Sequence, residues 1–170
     1  VTAHRRENFG APFREICQAL LHLAQANPDI HILYPVHPNP NIQGPAQEIL
    51  GGHPAITLCP PLDYLPFVGA MQRAYLILSD SGGVQEEAPA LAKPVLVLRN
   101  ETERPEAVEA GVVKLVGPDY TRIVHETQRL LDDPAAYRAM ARGVSPYGDG
   151  HAAARILEVL KSWADSIRTQ

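Results

Sequence analysis

The stretch Ser79-Asp80-Ser81-Gly82-Gly83 sets two hydroxyls, a carboxylate and two glycines between an apolar run, Tyr75 to Leu78, and a segment of good helix formers. Ser81 stands where a helix N-cap belongs, and the glycines leave the first helical N–H groups unshielded, which suits an anion such as a phosphate. The residue three after Ser81 is Val84, so no capping box accounts for Glu86 and Glu87. Glu87 falls nearly two turns into the helix, where a carboxylate could accept from the two adjacent hydroxyls of a ribose. Glu86 points about 100° away and reads as a structural or solvated charge. Arg5, Arg6, Arg99 and Arg104 could make a cleft attractive to anions, although Glu7, Glu101, Glu103 and Glu106 stand ready to neutralise them. Arg104, beside Pro105 at a helix start, is the arginine selected as a ligand contact.

His4 and His37 could act as acid or base or could contact phosphate. With Asp80 they lack the close spacing of a zinc set, so no metal is expected. A serine nucleophile is also excluded. Ser79 occupies the place of the first glycine of a Gly-x-Ser-x-Gly elbow, and the Asp-Ser-Gly-Gly turn lies between a strand and a helix.

These residues need elements to hold them. Val1 to His4 reads as a short strand, and Phe13, Ile16, Cys17, Leu20, Leu23 and Ala24 recur at helical spacing from Pro12 to Asn27-Pro28. Ile30 to Val36 is a second strand, Pro45 to Leu50 a helix, Ala55 to Leu58 a third strand, and Asp63 caps a helix that runs to Arg73. Strands follow at Tyr75 to Leu78, Pro94 to Leu98 and Val112 to Val116. Helices then span about Thr121 to Leu131, a short segment capped by Asp133 with Pro134 at its first position, and a long segment from His151. Six strands separated by helices imply an α/β fold: a doubly wound, Rossmann-like parallel sheet. Loops that follow the strands share one edge of such a sheet, so His4 to Glu7, His37, Asp80 to Gly83 and Arg99 to Arg104 converge there.

Length and charge bound the rest. A chain of 170 residues supports one domain, spanning 1–170, and its net charge of −4 gives no support to an extended nucleic-acid surface. No apolar run reaches the length of a membrane span, and a cytoplasmic protein is expected. Cys17 and Cys59 read as core thiols of a reducing compartment. The start at Val1-Thr2-Ala3-His4 has the look of a strand already under way, as in a fragment of a longer chain.

Five stretches together resemble the non-hydrolysing UDP-N-acetylglucosamine 2-epimerases: Val-Thr-Ala-His-Arg-Arg-Glu-Asn (1–8), Tyr-Pro-Val-His-Pro-Asn-Pro (34–40), Ser-Asp-Ser-Gly-Gly-Val-Gln-Glu-Glu-Ala-Pro (79–89), Thr-Glu-Arg-Pro-Glu-Ala (102–107) and Pro-Tyr-Gly-Asp-Gly (146–150). The resemblance implies the C-terminal, nucleotide-binding lobe of a two-lobed glycosyltransferase-B architecture, with the N-terminal lobe absent from this chain. It further implies interconversion of UDP-GlcNAc and UDP-ManNAc by loss of the sugar C2 proton and anti elimination of UDP, then re-addition, with no cofactor. Ser81, Gly82 and Gly83 would hold the diphosphate, Glu87 the ribose, Phe67 the uracil face, and Arg104 would approach the phosphates. Leu62 matches a uracil-contacting position where the family carries a polar residue, so a backbone contact is implied. His4 matches the active-site histidine, as acid/base or as diphosphate stabiliser, and Arg5 and Arg6 would border a site for a second UDP-GlcNAc acting as activator. The family's catalytic carboxylates would lie on the other lobe, so this chain alone is expected to be inactive, and the complete protein to be a homodimer. A glycosyltransferase or hydrolysing epimerase on the same scaffold, or a non-catalytic UDP-sugar-binding domain, are the alternatives.

Overall fold

The computed structural model describes residues 1–168. In chain order the elements are α1 (Ala11–Ala26), β1 (Ile32–Pro35), α2 (Pro40–Leu50), β2 (Ile56–Cys59), α3 (Tyr64–Arg73), β3 (Ile77–Ser79), α4 (Gly82–Ala90), β4 (Val95–Val97), α5 (Pro105–Glu109), β5 (Val113–Leu115), α6 (Tyr120–Asp132), α7 (Pro134–Met140) and α8 (Ala152–Arg168). A 3₁₀ turn at Arg6–Asn8 precedes α1. Every strand pair is parallel: β1 with β2, and β3 with β4 with β5. The expected first strand is reduced to one bridge, Thr2 to Ser79. That bridge joins the two sheets. The Thr2 N–H donates to Leu78 O at 3.0 Å, the Asp80 N–H donates to Thr2 O at 3.1 Å, and the Val1 nitrogen donates to Leu33 O at 2.7 Å. The spatial order is therefore β2, β1, residues 1–3, β3, β4, β5, and the chain reverses direction across the sheet between residues 1–3 and β3.

Alternation along the strands produces two cores, one on each side of the sheet. Leu78, Leu96 and Leu98 face α1, α2, α6 and α7 through Phe13, Ile16, Leu20, Ile42, Ile123 and Met140. Ile77, Val95 and Val97 face the opposite way, toward Met71, Val84, Ala88 and Ala107 of α3, α4 and α5. Successive strand residues point to opposite faces, so three strands of three residues serve both layers. This is the doubly wound arrangement.

Local chemistry sets several boundaries. Asp133 accepts from Ala135 N and Ala136 N, with Pro134 at the first helical position. Helix α2 begins earlier than periodicity suggested, at Pro40, because Asn39 caps it by accepting from Asn41 N. Asp63 and Ser81 occupy the cap positions of α3 and α4, but neither side chain makes a cap bond. Burial pushes the Cys17 thiol up to about 12, consistent with a core role. Helix α8 differs from the others. Its described side chains are all exposed, and Ile156, Leu157, Val159, Leu160, Trp163 and Ile167 each show more than half of their surface to solvent. Among the described residues no helix is long and apolar enough to cross a membrane.

Leu96 lies fully buried in the central strand of the β3-β4-β5 sheet. Leu96→Ala is expected to cost about 2–5 kcal/mol. In urea melts this appears as a lowered midpoint with an unchanged slope.

Candidate functional site

The crevice at the reversal of strand order is bounded by the loop after residues 1–3 and the loop after β3. A parallel α/β sheet binds ligands at such a point. Asp80 stitches the two loops together: its fully buried carboxylate accepts from His4 N at 2.9 Å, Arg5 N at 2.8 Å and Asn8 Nδ2 at 3.2 Å. Asn8 also donates to Leu98 O at 3.0 Å, tying in the loop after β4. Below this, the Thr2 and Ser79 hydroxyls lie 2.6 Å apart and Ser79 Oγ accepts from Ser81 N at 3.0 Å, which settles the turn into α4. Tyr34 OH donates to Ala3 O at 2.7 Å and anchors the first segment from the other side.

Helix α4 presents its N-terminus to the crevice with no side-chain cap. The leading N–H groups of a helix have no partner within it, so they are available to an anion. Two guanidinium groups meet there. A Cβ placed on Gly82 would lie 3.7 Å from Nη2 of Arg5 and 3.7 Å from Nη2 of Arg104. Glycine thus leaves open the volume between two cations and a helix start.

The structure sorts the arginines that sequence pattern left together. Arg99, 7% exposed, is clamped by Glu7 (Nε to Oε1, 2.6 Å) and Glu103 (Nη1 to Oε2, 2.7 Å), and these bonds raise its pKa further. It is a brace. Arg104 is paired through Nε with Glu86, while Arg5 makes no ion pair among the described residues. Glu86 is therefore the structural charge of the two glutamates. Glu87 is half-buried without a hydrogen-bond or ion-pair partner among the described residues, free for a ligand. Arg6 is exposed in the 3₁₀ turn. His4 and His37 stack, ring centroids 5.5 Å apart at 11° between planes, with His4 Nδ1 3.6 Å from Asp80 Oδ1. The described residues hold no cluster of three metal-ligating side chains.

Leu62 and Phe67 belong to a second feature of the surface. They line an apolar cavity of about 500 Å³ that also meets Val1, Ile77 and Leu78, and Ser81, Gly82, Gly83, Glu87 and Arg104 do not border it. Three site residues escaped sequence reasoning: Asp80 as a loop tie, Asn8 and Gln85. Gln85 is fully buried, accepts from Thr102 Oγ1 at 2.5 Å and donates to Ser81 O at 3.2 Å. Thr102 Oγ1 accepts in turn from Arg104 N at 3.0 Å, so Gln85 positions the Arg104 loop against α4. A glutamine on the inward side of a helix one turn after a glycine pair was the available signal.

A Rossmann-type lobe with an unshielded helix start and converging guanidiniums defines a nucleotide- or phosphate-binding α/β protein. The comparisons sharpen the class. Residues 1–161 match the model of the UDP-N-acetylglucosamine 2-epimerase family, and the chain belongs to that family. It is 56% identical over 167 residues to the UDP-N-acetylglucosamine 2-epimerase of Salmonella typhimurium, covering 98% of this chain and 44% of that protein. It is 59% identical over 162 residues to the Escherichia coli K12 enzyme, covering 95% and 43% respectively. The crystal structure of UDP-GlcNAc 2-epimerase from Neisseria meningitidis bound to UDP-GlcNAc superposes with a TM-score of 0.91 at 48% identity, over 95% of this chain and 43% of that one. The chain thus spans less than half the length of the relatives it matches.

The Arg99 clamp sets a pH dependence. Arg99 holds the Glu103 carboxyl down to about 2, from an ordinary 4.5. The folded value is the lower one, so the stabilisation is complete above the ordinary range and is lost as pH falls from about 4.5 toward 2. Thermal melts of the parent chain and Glu103→Gln are expected to differ near neutral pH and to converge toward pH 2. A gap that stayed constant across the series would remove Glu103 as its source.

Proposed function

We propose that this chain is the UDP-binding lobe of a non-hydrolysing UDP-N-acetylglucosamine 2-epimerase. The observation that carries the reading is the convergence of Arg5 and Arg104 on the open space at Gly82, at the uncapped start of α4. A diphosphate placed there meets the backbone N–H groups of Gly82 and Gly83 and the Ser81 hydroxyl together with two guanidiniums. These donors are fixed before negative charge grows on departing UDP, so they stabilise the transition state without reorganising. Glu87, unpaired and half-buried on α4, accepts from the ribose hydroxyls. Phe67 and Leu62 take the uracil end, and His4 and His37 stand at the sugar-diphosphate side with Arg6 at the rim. In the reaction the C2 proton leaves, the C1–O bond breaks with UDP departing anti to it, and the glycal double bond forms. UDP then adds back and C2 is reprotonated on the opposite face.

The second lobe of the complete protein supplies the groups that handle the C2 proton. Two observations support that partner: the relatives are more than twice as long, and α8 carries an apolar face left exposed by the described residues. Such a face suits a packed neighbour better than water. The lobe alone binds UDP and turns nothing over.

Calorimetric titration of the chain with UDP, with ADP as control, tests the nucleotide reading. Glu87→Ala is expected to weaken UDP by at least about tenfold, the size of a lost hydrogen bond to a charged group. Gly82→Ala places a methyl between the guanidiniums and is expected to weaken UDP comparably with an unchanged melting temperature. In the two-lobed protein, UDP-GlcNAc should give retained UDP-ManNAc with solvent deuterium at C2. Free UDP with ManNAc would identify a hydrolase instead.

A further inference from the structure

The two oxygens of Asp80 are treated very differently. Oδ2 accepts from His4 N, Arg5 N and Asn8 Nδ2, whereas Oδ1 is buried and has no hydrogen-bond partner. A buried carboxylate oxygen without a donor is costly, and such exceptions call for an explanation. The group facing it is an imidazole: His4 Nδ1 lies 3.6 Å away, in ion-pair range but longer than a hydrogen bond. Contacts of this kind are often long in ligand-free sites and tighten when the site fills.

The stacked ring beside it is fixed in a complementary way. His37 Nδ1 accepts from Asn39 N at 3.1 Å, so neutral His37 carries its proton on Nε2. For His4 the logic reverses. A carboxylate oxygen can only accept, so the nitrogen facing Asp80 must be the one that carries hydrogen.

We propose that Asp80 is a positioning residue for His4: Oδ1 holds the Nδ1–H of the imidazole, and Nε2 is the nitrogen presented to the ligand. The part that concerns the ligand rests on the reading of the crevice as a UDP site. The tautomer itself does not. One carboxylate then performs two tasks, with Oδ2 tying the loops and Oδ1 orienting the ring that one loop carries.

Asp80→Asn separates these tasks. The three N–H donors at Oδ2 still require an acceptor, so the amide oxygen takes that place and the NH2 group stands against His4 Nδ1. An NH2 group only donates, so Nδ1 must accept and the proton of the neutral ring moves to Nε2. Long-range ¹⁵N correlation spectra of the histidine rings, assigned with His4→Gln and recorded with and without UDP, report the tautomer directly. The expected result is Nδ1–H in the parent and Nε2–H in Asp80→Asn, with the amide signals of His4 and Arg5 showing that the loop bonds persist. The same tautomer in both proteins, or Nε2–H in the parent, overturns the proposal.

In the complete two-lobed enzyme, Asp80→Asn is expected to lower kcat by about 10²–10⁴-fold, as a wrong tautomer does in a hydrolytic triad, with the loss on kcat rather than KM. An inverted tautomer with undiminished turnover overturns the role in the reaction. Failure of the parent chain to bind UDP strikes the nucleotide reading instead and leaves the tautomer result standing.

Discussion

The crevice depends on one buried carboxylate taking backbone N–H groups from across a sheet. Residues 1–3 and β3 are neighbours in space and more than seventy residues apart in sequence, and the loops that leave them would diverge without a tie. Asp80 supplies it through His4 N and Arg5 N. Charge-assisted bonds of this type are roughly twice as strong as neutral ones, and burial shields them from competing water. Arg5 and His4 can face the helix start of α4 because their own backbone is held by the residue just ahead of that helix. Ser79, one position earlier, performs the matching job for the turn by accepting from Ser81 N.

The cations around the crevice are graded by how they are already engaged. Arg99 is buried and held by two carboxylates, which makes it part of the frame. Arg104 holds Glu86 from a partly exposed position, and a surface pair of that sort is held by little free energy. Arg5 makes no ion pair among the described residues. Under the proposed reading, a diphosphate would meet Arg5 at once and Arg104 by exchange, while Arg99 stays in place. The two-carboxylate pairing falls on Arg99, which leaves Arg5 and Arg104 the less engaged cations.

Much of this was legible in the sequence because strand-loop-helix order in a parallel sheet fixes where loops meet. Knowing that His4, Asp80 to Gly83 and Arg104 follow strands was enough to bring them to one edge. The division of labour between Glu86 and Glu87 followed from the helical rotation between neighbours, and the structure gives Glu86 to Arg104. What was not legible depended on long-range partners. The first strand shrank to a single bridge, because its pairing is decided by β1 and β3 rather than by its own residues. Asp80 looked like one polar residue among several in a turn, since nothing local reveals that its donors lie on the first segment. Gln85 was hidden for the same reason, its partners being Ser81 on its own helix and Thr102 seventeen residues on. Leu62 and Phe67 share an apolar cavity with residues of α3 and β3, a grouping that their spacing alone did not reveal.

Both hydrophobic cores draw their last member from no later than Met140. The order of synthesis gives that fact a consequence. A ribosome delivering this chain has already released everything the sheet needs while α8 is still within the exit tunnel. The lobe can close around Asp80 before its long amphipathic helix emerges. The greasy face of that helix then appears beside a body whose two cores are already complete without it.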